Sequence, residues 1–430
     1  MIGMQRETER CYQDDVYQKT CTAEVVEIRE DRKGRALLLD RTVFCPEGGG
    51  QGSDRGTAKL ENGRILEITD VQESDGELLH YFCEKEGVTS AAVQAGDVLT
   101  LHLDWDVRFD HMQRHAGEHI LSGALHRLFG AFNRGFHMGD ACMTIDAAFH
   151  PEGEETSMID LAAYPDYQKV TWEMALQAER EANRVIWEDA PITVRYFQTK
   201  EEAEQMPLRK RLNFEEDISV VTVGDAEHPL DCCPCCGTHP DSSGQVGLVK
   251  VYKVEANRGC TRIYFEAGKR ALEHYERQYD LLLSLGERLS AGEQDLSEKL
   301  DRLIEKENAL HNEVYHLKQA RVNAAAEELR EAMRPGLVRR FSDLSSDEIL
   351  RVEKKLKGAA EGVIFLVQTR ERAVFLLSDG GTKSDCAAIV KEIARPLGGK
   401  GGGKPESARV MFQDADTMET FLKEALDSLN

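Results

Sequence analysis

The stretch Arg108–Gly130, RFDHMQRHAGEHILSGALHRLFG, decides how this sequence is read, because the periodicity of the chain changes just ahead of it, from about residue 106. Its less polar positions, among them Phe109, Met112, His119, Leu121, Leu125 and Leu128, predict a strongly amphipathic helix. Up to about residue 100 the pattern is different. Runs such as AEVVEIRE, RALLLD, ILEITDVQE and VLTLHLD, separated by Gly, Asp and Asn turns, predict a small β-barrel. Between two of them lies Phe44–Gly56, FCPEGGGQGSDRG, whose adjacent glycines let backbone turn sharply or approach a ligand closely.

Beyond the helix, strand-like CMTIDAAF, ITVRYFQ, ISVVTVG, GLVKVYKVE and CTRIYFEAG alternate with helical stretches near 167–188 and 200–206, an α+β domain running to about 268. From about 270 to 333 the sequence is helical, with no proline until Pro335. Leu296, Leu303, Leu310, Leu317 and Ala324 recur every seven residues, with Leu300 and Val314 at companion positions and Glu307 and Arg321 interrupting them. That predicts either an intermolecular coiled coil or an antiparallel arm packed on its own protein. The last hundred residues return to α/β patterning and carry the loop GGKGGGKPESA. The fold class is therefore α+β, in four segments: a barrel with its glycine-rich loop (1–103), an α+β domain (104–268), a helical arm (269–335) and a C-terminal α/β domain (336–430).

Charge narrows the partners. With 54 basic and 77 acidic residues the chain carries a formal −23, which excludes a uniformly basic nucleic-acid-binding surface. Ile389–Arg409 is locally different, with five basic and two acidic residues, and Lys400, Lys404 and Arg409 could present charge to phosphates. No apolar run reaches membrane-spanning length and the N-terminus is charged, so neither a membrane span nor a signal peptide is expected and the location is cytoplasmic. In such a reducing compartment eleven clustered cysteines read as metal-binding or catalytic sooner than as disulfides.

Two half-sites stand out. His115 and His119 lie four apart on the predicted helix and project from one face; Cys235 and His239 repeat the spacing in CCGTH, where Gly237 argues for a loop. Thiolate and neutral imidazole together suit zinc. Cys232 and Cys233 keep other readings open, since Cys232 with Cys235, or Cys233 with Cys236, forms a C-x-x-C pair for redox chemistry or a closed structural zinc.

These motifs resemble a known family. RFDHMQRHAGEHILSGAL and CCGTH followed by SSGQVG are similar to the H-x-x-x-H and C-x-x-x-H segments of the editing domain of alanyl-tRNA synthetases and of the free-standing AlaX proteins. PEGGGQGSDRG, FHMGDACMTID and KVEANRGCTRIYFEAG resemble further pieces in the same order, and GGKGGGKPESA resembles the DHH-associated domain that ends those synthetases. The whole chain looks like the long form of AlaX. The resemblance implies a zinc-containing editing domain, one Zn2+ per chain held by His115, His119, Cys235 and His239, and hydrolysis of serine, and to a lesser extent glycine, from mischarged tRNA(Ala). It also implies editing without charging, because the segment that would aminoacylate is not seen ahead of the barrel. Some relatives read the serine side chain with a threonine or glutamine on the turn after the metal helix; here that turn is NRGFHMG, and His137, Thr144 and Gln51 are the substitutes. Gly48, Gly49, Gly50 and Gln51 would approach the substrate. Lys400, Lys404 and Arg409, with Arg209, Lys210 and Arg211 near the acceptor end, would hold tRNA. The heptads would set the C-terminal domain at a distance and could pair two chains, giving a homodimer through the coiled coil or the C-terminal domain. A zinc-dependent deacylase for another ester, such as serine on threonine tRNA, and a non-catalytic zinc-stabilised tRNA-binding protein are the alternatives.

Overall fold

Alternation at period two closes the first part of the chain into a barrel. In the computed structural model, which describes residues 8–84, 93–149, 164–210, 212, 215–381 and 384–429, six strands close on themselves in the order β1-β2-β5-β4-β3-β6. They are β1 (Thr20–Glu30), β2 (Arg35–Leu39), β3 (Gly56–Leu60), β4 (Ile65–Ser74), β5 (Glu77–Glu84) and β6 (Val98–Leu103). Every second residue points inward: Ala23 and Val25, Ala58 and Leu60, Leu66 and Ile68, and Leu99 and Leu101 share one buried core with Phe44. Each leucine there contributes about 1.5–3 kcal/mol by burial, so a polar replacement at Leu66 or Leu101 would open the barrel. The predicted barrel is present, and its glycine-rich loop runs between β2 and β3.

At Asp104 the period changes. Its side chain accepts from Asp106 N (3.2 Å) and Val107 N (3.4 Å), capping helix α1 (Trp105–Phe129). The helix packs against α2 (Trp172–Trp187) and against an antiparallel sheet of order β12-β13-β8-β7, formed by β7 (Phe132–Met138), β8 (Met143–Ala148), β12 (Val249–Asn257) and β13 (Cys260–Ala267). A second antiparallel sheet, β9 (Ile192–Thr199), β10 (Glu216–Val223) and β11 (Asp231–Pro234), delivers the cysteine-rich segment to the same helix.

The expected amphipathic character of α1 is wrong. Met112, Ala116, Ile120, Leu121, Ala124 and Leu125 are buried, but so are Arg108, Arg114, His115, Glu118, His119, Ser122 and His126, whereas Leu128 is exposed. The helix is central, enclosed on almost all sides, and its polar residues are paired inside the protein. Arg108 donates to Asp54 from Nε (3.0 Å) and to the carbonyls of Val16 (2.8 Å) and Val43 (2.7 Å), which ties the helix to the glycine-rich loop. Arg114 pairs with Glu266 at 2.8 Å.

Packing separates Met1–Leu282 from Leu283–Asn430, so barrel and α+β segment form one unit. The helical arm is two helices, α3 (Gly268–Leu289) and α4 (Leu296–Ala332), interrupted at Ser290, which takes φ 48°. On α4 the heptad residues Leu300, Leu303, Leu310, Val314 and Leu317 are exposed, while Val322, Ala326 and Leu329 are buried against α5 (Ser346–Leu356). The C-terminal sheet has the order β14-β15-β16-β18-β17, from β14 (Val338–Phe341), β15 (Ile364–Gln368), β16 (Ala373–Leu377), β17 (Lys400–Lys404) and β18 (Ser407–Met411). Alternate residues of β15 face two cores: Ile364 and Leu366 pack with α5, and Phe365 and Val367 with α6 (Ala415–Ser428). The GGKGGGK segment, expected as a loop, supplies the edge strand β17. Its backbone lies so close to β18 that a Cβ on Gly401 would fall 2.0 Å from the Arg409 carbonyl oxygen, so only glycine permits the pairing.

Candidate metal centre

Helix α1 stacks the His115 and His119 rings 5.2 Å apart, as residues one turn apart on one face must be. The end of β11 supplies the other half: the Cys235 N–H donates to the Ser219 carbonyl (3.0 Å), fixing the turn that follows. Cys235 Sγ then lies 3.3 Å from His115 Nε2 and 3.4 Å from His239 Nε2. One nitrogen or sulfur donor from each of His115, His119, Cys235 and His239 lies within 4.8 Å of all the others. The sequence pairing of two distant half-sites is thus met in space.

Burial sets the protonation. It is the leading reason that the His115 pKa falls to about 3 and that of His239 well below its usual value, with neighbouring imidazoles adding to both; it also raises the Cys235 thiol well above its usual range. Both imidazoles are held neutral, with lone pairs to offer. The thiol can lose its proton to solvent only where a cation compensates the thiolate left behind. His119 Nε2 is buried without a hydrogen-bond partner, which in a protein interior costs about 1–3 kcal/mol unless something occupies its lone pair. Three imidazoles and one thiolate at these separations fit a zinc ion.

Around this cluster stand further residues, of which the sequence had singled out Gln51, Arg209 and Gly237 but not Asp231, Glu118 or Thr238. Asp231, fully buried, accepts from His119 Nδ1–H at 2.7 Å and from Arg209 Nη2 at 3.1 Å, with Arg209 Nε also donating to it. Although its burial opposes ionisation, the Arg209 charge and the His119 hydrogen bond win and hold the carboxyl well below its usual pKa. Gln51 Oε1 accepts from His115 Nδ1–H at 2.9 Å, and Gln51 Nε2 donates to Thr238 Oγ1 at 3.0 Å. Glu118 accepts from Ser122 and from Asn133, both at 2.6 Å. Gly237 has a steric reason: a Cβ there would lie 2.2 Å from His115 Nδ1 and 2.8 Å from Gln51 Oε1.

Not every other expected site residue lies against the cluster. Arg209, expected against tRNA, is only 1% exposed, and its guanidinium is spent on Asp231. Lys210 is half-buried, with its charge felt at His115, Glu118 and Cys233; Arg211 lies outside the described residues. His137 and Thr144 are register partners on β7 and β8. Their neighbours Phe136 and Ile145 face inward, Phe136 stacking on His115 at 5.6 Å, so strand alternation turns His137 and Thr144 to the opposite face. The structure does not bring them to the cluster. Asn133 on that turn is engaged with Glu118 and Ser122. Gly48 and Gly49 run past the Cys236 thiol, and Gly50 past the Phe136 ring. Cys232 points away into a core with Leu208, Ile218 and Val220, which removes the Cys232–Cys235 reading. Cys233 is turned to the site side, where it forms a second grouping with His119 and Asp231; all eleven cysteines are free. In the C-terminal sheet Lys400 and Lys404 are exposed, and Arg409 is half-buried over the Phe375 ring at 5.0 Å.

The closed barrel and the converging donors of His115, His119, Cys235 and His239 stand in a chain whose parts match domains of tRNA synthetases. Residues 218–264 match the threonyl and alanyl tRNA synthetase second additional domain, residues 5–107 match class II (A) tRNA synthetases, and residues 335–430 match the DHHA1 domain. The alanyl-tRNA editing protein AlaX-L of Pyrococcus horikoshii is 28% identical over 417 residues, covering 93% of this chain and 94% of that protein. Alanine–tRNA ligases of Pyrococcus abyssi and Archaeoglobus fulgidus are 26% and 27% identical, over 98% and 96% of this chain. The chain spans 43% of the length of each ligase. The long-form AlaX resemblance read from the motifs therefore extends along almost the whole chain.

Proposed function

We propose that this protein is a zinc-dependent trans-editing hydrolase that deacylates tRNA(Ala) mischarged with serine, and also with glycine. The observation that carries the reading is the convergence of the His115, His119, Cys235 and His239 donors within 4.8 Å, in a chain matched over 93% of its length by an alanyl-tRNA editing protein. Zinc bound there, one per chain, would supply Lewis acidity to the ester carbonyl or a fixed point for the substrate. The chain's own residues do the rest. Asp231 and Gln51 hold the two helical imidazoles in the tautomer that turns Nε2 to the ion, and burial of the cluster limits competing bulk water. The reaction needs little more, because an aminoacyl ester is already activated. Water adds to it and releases serine and a tRNA with a free terminal hydroxyl.

Editing has an energetic reason. A pocket shaped for alanine's methyl rejects an added hydroxyl only weakly, because such pockets discriminate by about 1–3 kcal/mol. A second site that recognises the hydroxyl can separate the two.

Exposed Lys400 and Lys404, with Arg409, are the residues proposed to bind tRNA from the C-terminal sheet, and Lys210 to meet its acceptor end. The exposed heptad stripe of α4 supports a coiled-coil arm that pairs two chains. The protein would work in the cytoplasm. Because the matching synthetase domain is shared by threonyl and alanyl enzymes, serine on threonine tRNA is the second reading. The test is release of labelled serine from Ser-tRNA(Ala) beside Ser-tRNA(Thr) and Ala-tRNA(Ala). Loss of serine from the first alone supports the proposal; equal or faster loss from Ser-tRNA(Thr) supports the second reading, and no loss from either sinks both.

A further inference from the structure

The barrel loop reaches the centre of the metal cluster at one side chain, Gln51, which is 1% exposed. Its amide orientation follows from chemistry. The Thr238 backbone N–H can only donate, and it faces Gln51 Oε1 at 3.2 Å, so that atom is the oxygen. The same oxygen faces His115 Nδ1 at 2.9 Å, and two acceptors cannot share a hydrogen bond, so Nδ1 carries the proton. Nε2 must then hold the lone pair, and it is the atom turned to Cys235 Sγ. The other end of the amide donates to Thr238 Oγ1, one residue before His239. One side chain thereby joins both half-sites.

We propose that Gln51 is a positioning residue of the metal centre, which fixes His115 as an Nε2 ligand and locks the CCGTH loop to the barrel, and that it does not read the amino acid's side chain. Every polar atom of the amide that could meet a serine hydroxyl is turned to His115 or Thr238. The glycines flanking it act in the same direction, letting the loop pass Cys236 and Phe136 closely enough for Gln51 to enter. The barrel is then part of the site. This rests on the metal-site reading above.

The experiment uses the full chain, cobalt(II) as the metal probe, and a chelator competition to read its dissociation constant. Gln51→Met keeps the side chain's length and removes both polar ends; it should weaken cobalt binding about 10–100-fold, the usual effect of losing a ligand's outer partner. Gln51→Glu keeps the acceptor for His115 and Thr238 and should bind within about threefold of the intact protein, a rescue that a mere packing role would not give. Thr238→Val keeps Gln51 and removes its anchor, giving an intermediate loss and guarding against misfolding of the Met variant. The ratio of serine to alanine release should be unchanged in all variants. Unchanged cobalt affinity in Gln51→Met, or a shifted serine-to-alanine ratio in Gln51→Glu, overturns the inference. Absence of cobalt binding by the intact protein would instead overturn the metal-site reading itself.

Discussion

Replacing Asp231 by leucine should do two separable things. The carboxylate is fully buried between the Arg209 guanidinium, itself 1% exposed, and His119 Nδ1 at 2.7 Å. Removing it leaves Arg209 charged, buried and without its counter-ion, which costs about 3–5 kcal/mol. At about 2–4 °C per kcal/mol the melting temperature of this unit should fall by roughly 6–20 °C. His119 also loses the acceptor that orients it, and metal affinity should drop about 10–100-fold. The two effects part in the double variant Asp231→Leu with Arg209→Met. Exchanging a whole buried ion pair for apolar groups is often neutral, so most of the stability should return while metal affinity stays low. Thermal unfolding and cobalt competition on the three variants and the intact protein would read both quantities. A single variant that unfolds at the parental temperature, or a double variant as unstable as the single, would refute the claim that Asp231 compensates Arg209. Recovery of metal affinity in the double variant would refute its role at His119.

Gly237→Ala places a methyl 2.2 Å from His115 Nδ1, where the Gln51 bond now lies, and should weaken cobalt binding at least about tenfold by the same titration. In the barrel, His80 donates from Nδ1 to the Leu37 carbonyl at 3.1 Å, and burial lowers its pKa from 6.5 to about 4. The unfolded chain therefore binds a proton that the folded one refuses between those values, and stability falls as pH drops through that window, by about 3 kcal/mol in all. His80→Gln should flatten that part of the stability–pH curve, and a curve as steep as the parent's would count against it. Lys400→Ala with Lys404→Ala should weaken tRNA(Ala) binding and reduce the slope of log affinity on log salt by about 0.7–0.9 per lost phosphate contact, as filter binding at several salt concentrations would read. An unchanged slope would remove that edge strand from the tRNA surface.

Local pattern revealed much of this and failed in identifiable places. The barrel was legible because its strands alternate at period two, and the four side chains that converge because His115 with His119 and Cys235 with His239 repeat one spacing. Helix α1 misled because enclosure on all sides hides charged residues among buried ones, and pairing such as Arg108 with Asp54 is invisible until the chain has folded. Asp231 stands immediately before the cysteines, yet nothing local marks it as a partner of a histidine more than a hundred residues away. Arg209 looked like a surface cation for the same reason. His137 and Thr144 were chosen by proximity to a motif, and one residue of strand register sends them to the opposite face. The glycines of β17 read as a loop because backbone pairing leaves no side-chain signature.

The most direct test of the central claim measures metal and chemistry together: zinc content by elemental analysis and serine release from Ser-tRNA(Ala), for the intact protein and a His115→Ala, His119→Ala variant. The expected result is one zinc per intact chain, rapid release of serine with alanine retained on Ala-tRNA(Ala), and loss of both zinc and hydrolysis in a variant that remains folded. Hydrolysis that persists in the zinc-free variant, or an intact protein loaded with zinc that releases no serine, would contradict it.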